Sequence, residues 1–388
     1  MPSPEQLDSI TIDQLRNQGS FKWTAHPDSI GAFFAEMDFG TSPNVQSELK
    51  KAVDTPLLGY LPKTLSDEMA TETARYVKDN YGWSVPTSDI HPISDVTYAT
   101  RLAIEHYSRP GSPVIVPTPS YMPFLTVPGD VNREVIQVPM IEKDGTMKLD
   151  LEGIERAFLA GGNLLILCNP YNPIGRVFTR AELDALSIVV ERNEGRVFAD
   201  EIHAPLVYSP HKHVPYASIS RITAGHTVTA YSASKAWNIP GLKAAQFVVT
   251  NEQDREVWDR IGYRASHTCS ILGVIANTVA YSEDREWQKD ILEYLDGNRK
   301  YLGRLLKEYI PQIGYQEPEG TYIGWLDVRS LGFHNGAADF FRERAGVALT
   351  DGEATGTAGV GYLRLIFATP RPILEEAVER MALSLRAQ

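Results

Sequence analysis

Short apolar runs punctuate the middle of the chain, each followed by enough residues for a helix. The runs cover 114–116, 135–140, 164–168, 197–199, 227–231 and 246–250. Their length and β-branched content predict buried strands. Between them, apolar positions recur at helical spacing. One predicted helix spans 180–191 behind Thr179 as N-cap, and another spans 149–159. A third opens near Asp95, with Val96, Ala99, Ala103, Ile104 and Tyr107 on one face. Alternating strands and helices predict an α/β domain with a mostly parallel sheet.

The pattern changes in the last hundred or so residues. Longer helical stretches at 287–309, 337–344 and 372–387 flank short strands at 323–328 and 362–367. This predicts a smaller α+β domain. The first 45 residues carry no clear period and are expected to be irregular. The expected division is a large domain over 46–283 and a small one made of 1–45 with 284–388.

Ligands of parallel α/β sheets bind beyond the carboxyl ends of the strands. Here those ends are followed by Tyr121, Asn172, Asp200 with His203, and Ser232, Ser234 and Lys235. Singly, each has an ordinary explanation: a solvated lysine, a capping aspartate, a turn-forming Asn-Pro, a packed tyrosine or histidine. Together they suit pyridoxal 5′-phosphate. Lys235 offers the Schiff-base amine. Asp200 suits the pyridine nitrogen, Asn172 and His203 the phenolic oxygen, and Tyr121 the ring face. Ser232, Ser234, Lys243 and the N–H groups of Val96 and Thr97 suit the phosphate. Asp95 would repel that phosphate, so it is read as the helix cap.

Composition narrows the class. Of 388 residues, 37 are basic and 49 acidic, a net charge of −12 with no Lys/Arg run, so no nucleic-acid partner is expected. The N-terminus lacks a secretory pattern, and no stretch nears the ~20 apolar residues of a membrane span. The expected location is the cytoplasm. Cys168 and Cys269 are expected to be buried free thiols. No metal site is expected, and His211-Lys-His213 reads as a polar turn.

Longer motifs carry a resemblance. They are Phe34-Ala-Glu-Met-Asp-Phe39, Leu58-Gly-Tyr60, Pro119-Ser-Tyr-Met-Pro-Phe124 and Cys168-Asn-Pro-Tyr-Asn-Pro-Ile-Gly175. Further along come Asp200-Glu-Ile-His-Ala-Pro-Leu-Val207, Ser232-Ala-Ser-Lys-Ala-Trp-Asn238, Gly320-Thr-Tyr-Ile-Gly-Trp-Leu-Asp327 and Leu363-Arg-Leu-Ile-Phe-Ala368. The chain resembles fold-type-I pyridoxal-phosphate enzymes of the class I/II aminotransferase family, and within it the cystathionine β-lyase (C–S lyase) subgroup. The resemblance implies the type-I transferase fold, with a seven-stranded, mostly parallel sheet in the large domain. It implies a homodimer in which Tyr60 reaches the neighbouring subunit's cofactor phosphate. It makes Arg364 the grip on the substrate α-carboxylate and has Asn172 also face the substrate. Tyr322 and Trp23 become candidate pocket residues, with core packing as the alternative for each.

The implied reaction is α,β-elimination from L-cystathionine or related cysteine S-conjugates, giving a thiol, pyruvate and ammonia. An aminotransferase, a specialised biosynthetic enzyme using the same cofactor, and a binding protein retaining the fold are the alternatives. The phosphate loop Ser94-Asp-Val-Thr-Tyr98 lacks the glycine common in relatives. The glycine-rich stretch 351–361 is expected to form a mobile loop over the substrate entrance.

Overall fold

The computed structural model describes residues 3–333 and 336–386. Its main sheet has seven strands: β1 (Ile90–Ile93), β2 (Val114–Thr118), β3 (Val135–Pro139), β4 (Leu164–Cys168), β5 (Arg196–Asp200), β6 (Thr227–Tyr231) and β7 (Ala245–Val249). They lie in the order β1-β7-β6-β5-β4-β2-β3. Only β7 runs antiparallel to its neighbours. Strands β2, β4, β6 and β7 are buried at every position, as expected for a sheet covered by helices on both faces.

The six apolar runs are all strands, with ends shifted by one or two residues. The seventh, β1, has His91 and Pro92 at its centre, which hide it from an apolar-run search. It lies at the sheet edge, where proline is tolerated. The expected helices also form. Arg180–Arg192 starts on a capping box in which Thr179 and Glu182 satisfy each other's backbone N–H groups. Leu151–Leu159 begins two residues later than the apolar pattern, because Asp150 caps it.

The C-terminal part forms a second, antiparallel sheet. Its strands are β8 (Gly314–Tyr315), β9 (Ile323–Asp327), β10 (Thr350–Asp351) and β11 (Tyr362–Ile366), in the order β8-β9-β11-β10. Helices Arg285–Tyr309, Ala337–Ala345 and Arg371–Arg386 pack with it. Ala387, the expected end of the last helix, lies outside the described residues. No helix among the described residues is long and apolar enough to cross a membrane.

Two expectations are corrected. The N-terminal region is not irregular throughout. Pro4–Asp8 and Ile12–Gln18 are helices with capping boxes, Ser3 with Gln6 and Thr11 with Gln14. These short polar helices show little apolar period, which concealed them. The stretch 351–361 is not a loose loop either. It folds into two 3-10 turns, Gly352–Thr355 and Thr357–Gly359. Thr355 is buried and its carbonyl accepts from Ser120 N at 2.8 Å. A Cβ on Gly352 would sit 2.1 Å from the Gly359 carbonyl oxygen, so the glycines allow close packing.

After its helices the N-terminal chain forms a separate two-stranded sheet and then meets the second sheet, where Ile366 N donates to Ala32 O at 2.8 Å. Ile30–Gly31 pairs in parallel with Val347–Ala348, and Asp38 N donates to Ala368 O at 3.0 Å. Lys22 and Asp38 form a fully buried ion pair at 2.8 Å, and Trp23 Nε1 donates to the other Asp38 oxygen at 2.8 Å. Removing one member of such a pair strands the other charge in the core. Lys22→Met should therefore lower unfolding free energy by roughly 3–5 kcal/mol, read from urea denaturation. A loss within experimental error would remove this pair as an anchor of residues 33–38.

Candidate active site

The parallel strands end together, and the side chains just beyond them face one cavity of about 570 Å³. Tyr121 comes from the segment after β2, Asn172 from the loop after β4, and Asp200 from the last position of β5. His203 lies three residues on. Ser234 and Lys235 follow β6, and Lys243 precedes β7. Val96 and Thr97 open the helix Val96–His106, whose first N–H groups have no partner within the helix. Asp95 caps it as expected, accepting from Tyr98 N at 2.7 Å, and its other oxygen meets Lys243 Nζ at 3.1 Å. One carboxylate thus ties the helix start to the lysine.

Charge in this region is buried and largely unmatched. Asp200 is almost fully buried and makes no ion pair among the described residues. It accepts from Ile202 N at 3.1 Å, and the Cys168 thiol lies 3.8 Å away. Burial pushes its carboxyl up to about 7. Lys235 Nζ donates to Ala35 O at 3.1 Å. Burial, helped by Arg364 and opposed by Glu36 and Asp200, brings this amine down to about 8. His203 is held well below its usual value by burial, helped by Lys235 and Arg364, so its imidazole is neutral.

Arg364 sits on β11 opposite Trp325 and Thr350 and is also buried. Burial lowers it to about 10, which leaves it cationic at neutral pH. It has no carboxylate partner among the described residues, only a long contact of 3.5 Å from Nη1 to Phe33 O, and its Nε is unpartnered. Asn172 Oδ1 and His203 Nδ1 are likewise buried without partners. Unpaired buried groups of this kind are costly unless a ligand completes them.

The chain matches the family described as aminotransferase class I and II over residues 34–381. It belongs to that family. A cystathionine beta-lyase of Corynebacterium glutamicum is 34% identical over 374 residues, covering 96% of this chain and 98% of its own. Among solved structures, cystalysin from Treponema denticola, which contains pyridoxal 5′-phosphate, superposes with a TM-score of 0.91 at 27% identity. The match covers 98% of this chain and 99% of that one. A pyridoxal-phosphate-bound C–S lyase from Staphylococcus hominis gives 0.91 at 25% identity, covering 98% of each chain.

Not every residue singled out from the sequence reaches the cavity wall. Ser232 is buried behind it, donating to Ala244 O at 2.8 Å and accepting from Ser234 N at 3.1 Å. Tyr322 is fully buried, with its hydroxyl on Ala35 O at 3.0 Å and its ring 6.2 Å from that of His203. Trp23 is a core residue bound to Asp38 and lines nothing. Tyr60 lies outside that cavity, on a separate cleft with Tyr263 and His267, and is 88% exposed. His213 is not in a polar turn: it is buried, and its Nε2 lies 2.9 Å from Glu201 Oε2. Cys168 is buried as expected, whereas Cys269 is only half-buried.

The structure adds Phe34 and Ala35 to the wall, with Arg101 and Asp130 nearer the helix start. The first two fall in a motif that the sequence displays without a role. A backbone carbonyl such as that of Ala35 leaves no side-chain signal to find.

The Asp200 shift makes a signed prediction. Its folded value of about 7 exceeds the ordinary 3.8, so the carboxyl favours folding below pH 4 and loses that contribution as pH rises through 7. In protein stripped of bound small molecules, Asp200→Asn should be the more stable form at pH 8, by on the order of 1–3 kcal/mol. The two should converge by pH 4. Equal thermal melting at both pH values would show that Asp200 is hydrated.

Proposed function

We propose that this chain is a pyridoxal 5′-phosphate-dependent carbon–sulfur β-lyase that cleaves L-cystathionine or related cysteine S-conjugates to a thiol, pyruvate and ammonia. The observation that carries the reading is the convergence of Asp200, Lys235 and Arg364, from three separate elements, with no ion pair to any of them among the described residues. A buried carboxylate, an amine and a guanidinium left unpaired match the pyridine nitrogen, the aldehyde carbon and the substrate carboxylate in turn. The 34% identity to a cystathionine beta-lyase over nearly the whole chain favours elimination over amino transfer.

When bound, the cofactor supplies an electron sink for the charge left at the substrate α-carbon. Asp200 holds the proton on the ring nitrogen that makes this sink effective. Val96 and Thr97 N–H groups, Ser234 and Lys243 hold the phosphate, with Ser232 supporting Ser234 from behind. Tyr121 covers the ring face, and Asn172 with His203 faces the phenolic oxygen. Arg364 takes the α-carboxylate through its guanidinium fork, with Tyr322 and Asn172 bordering the substrate. Lys235, which titrates near 8, has a usable neutral fraction at physiological pH. As neutral amine it removes the α-proton, and as ammonium it delivers that proton to the departing sulfur.

The expected dimer belongs to the same reading. Tyr60, Leu58 and Tyr263 form an exposed apolar patch, and a second copy covering it would bring Tyr60 to the partner's phosphate. The division into 46–283 and 1–45 with 284–388 is supported by the pairing of Ile30–Gly31 with Val347–Ala348. The free thiols suit a reducing compartment, and we assign the enzyme to the cytoplasm.

Purified holoenzyme given L-cystathionine without keto acid should release pyruvate and thiol in equal, continuing amounts, and Lys235→Ala should abolish both. Turnover that requires an added keto acid would instead identify an aminotransferase. Tyr60 is tested by mixing. Tyr60→Phe and Lys235→Ala chains, each impaired alone, should recover activity when refolded together, because one site of the hybrid then has both native residues. Absence of recovery in proven hybrids would return Tyr60 to its own subunit.

A further inference from the structure

Residues 33–41 form a strap that crosses the cavity beside Lys235. Three of its carbonyls, alternating along the chain, accept hydrogen bonds from the site. Phe33 O accepts from Thr350 Oγ1 at 2.9 Å and from Arg364 Nη1 at 3.5 Å. Ala35 O accepts from Lys235 Nζ at 3.1 Å and Tyr322 Oη at 3.0 Å. Met37 is held differently. Its N–H donates to Asn238 Oδ1 at 2.9 Å, while Asn238 Nδ2 donates back to Met37 O at 2.9 Å and to Gly40 O at 3.1 Å. Next to it, Thr41 Oγ1 donates to Trp237 O at 2.6 Å.

Asn238 ends the motif that contains Lys235, three residues earlier, and nothing in the reaction described so far uses it. Its backbone is left-handed, with φ +55°, a conformation that asparagine tolerates better than most residues. This turn directs the amide back across the strap. The segment that carries the reacting amine therefore also carries the clamp that fixes the amine's acceptor.

We propose that Asn238 is a positioning residue for the chemistry at the α-carbon: its two-sided grip on Met37 keeps the Ala35 carbonyl on the Lys235 amine and the Phe33 carbonyl beside Arg364. The proposal rests on the reading of Lys235 as base and Arg364 as carboxylate grip. A displaced strap loses both contacts at once. The amine then samples orientations away from the α-proton, and the guanidinium loses one of its few fixed neighbours.

The charged groups facing Lys235 are Arg364 from β11, Glu36 from the strap, Asp200 from the end of β5, and Lys243, with His203 nearby. Against them the Ala35 carbonyl favours the ammonium form, because an acceptor bonds more strongly to a cation. Its loss should lower the proton affinity of Lys235. The acid limb of the kcat profile should then move to lower pH.

The test uses holoenzyme carrying Asn238→Gly, which keeps the left-handed backbone free of strain but removes all three clamp bonds. Hydrogen exchange over 35–41 should become at least about tenfold faster. With L-cystathionine, kcat should fall about tenfold, KM should rise less, and the acid limb should move down by about half a pH unit. Asn238→Asp is the second variant. It keeps an acceptor for Met37 N but sets a carboxylate against two carbonyls, and should shift exchange, kcat and KM in the same direction, while its added charge opposes the movement of the acid limb. It decides the matter should the glycine variant fail to fold. Unchanged exchange overturns the clamp. Faster exchange with kcat, KM and the pH limb all unchanged reduces Asn238 to scaffold. A wild type inert toward L-cystathionine sinks the lyase reading alone. The exchange data, with the amino-acid concentration that half-shifts cofactor absorbance, then decide the clamp by themselves: slower strap exchange in wild type and a higher half-shift concentration in the variant support it, and equality overturns it.

Discussion

Buried charge without a partner is the constraint around which this molecule is organised. Asp200, Lys235 and Arg364 are withdrawn from water, and none pairs with another. Such groups destabilise a fold by amounts comparable with its net stability. They persist only where the surroundings prevent them from collapsing onto one another. Here each is fixed by a different element: the end of β5, the loop after β6, and the middle of β11. The two sheets hold these elements apart, and the cavity is the space that remains. Lys22 and Asp38 show the contrast, since there a buried lysine and a buried aspartate do meet, and their role is anchorage.

The N-terminal chain links the two sheets. It meets the second sheet through the Ala32 carbonyl, which accepts from Ile366 N, and then turns over the carboxyl edge of the first, where the loop holding Lys235 grips it. Its contribution is largely backbone: the carbonyls of Phe33, Ala35, Met37 and Gly40 and the N–H groups of Met37 and Asp38. Arg364 from one sheet and Lys235 from the other thus bond to alternate residues of one short segment. Any motion between the sheets would be felt at both contacts.

This division explains what the sequence made legible. Strands with uniform burial were visible because most residues in them are apolar, as all are in Leu164–Cys168. The edge strand Ile90–Ile93 was not, because His91 and Pro92 interrupt it and an edge tolerates them. Site residues that act through distinctive side chains, Lys235, Asp200, Asn172 and Arg364, could be located from their place after strands or within motifs. Those that act through the backbone, Ala35 and Phe33, could not, since a carbonyl belongs to every residue. Tyr322 and Ser232 were assigned to the right neighbourhood, but their exact placement depended on χ angles and packing. Both turn to backbone carbonyls, those of Ala35 and Ala244. Trp23 takes the core-packing role named for it, because an indole N–H satisfied by Asp38 has no reason to face a pocket.

The electrostatics also limit which group can move protons. Burial holds His203 neutral and far from accepting a proton at physiological pH, and it raises Tyr121 above its usual range, so the phenol stays protonated. In the proposed mechanism Asp200 would hold one proton at a ring nitrogen, where giving it up would weaken the electron sink. Lys235 is left with a value of about 8, close enough to neutrality to serve as base and then as acid. A β-elimination asks for this sequence from a single group: a proton leaves the α-carbon, and a proton is wanted at the departing sulfur on the far side of the β-carbon. An amine on a flexible stem covers that distance, whereas a ring fixed by packing does not. The acceptor that steadies the amine between the two steps is the Ala35 carbonyl, which is why a segment with no reactive side chain of its own borders the centre of the site.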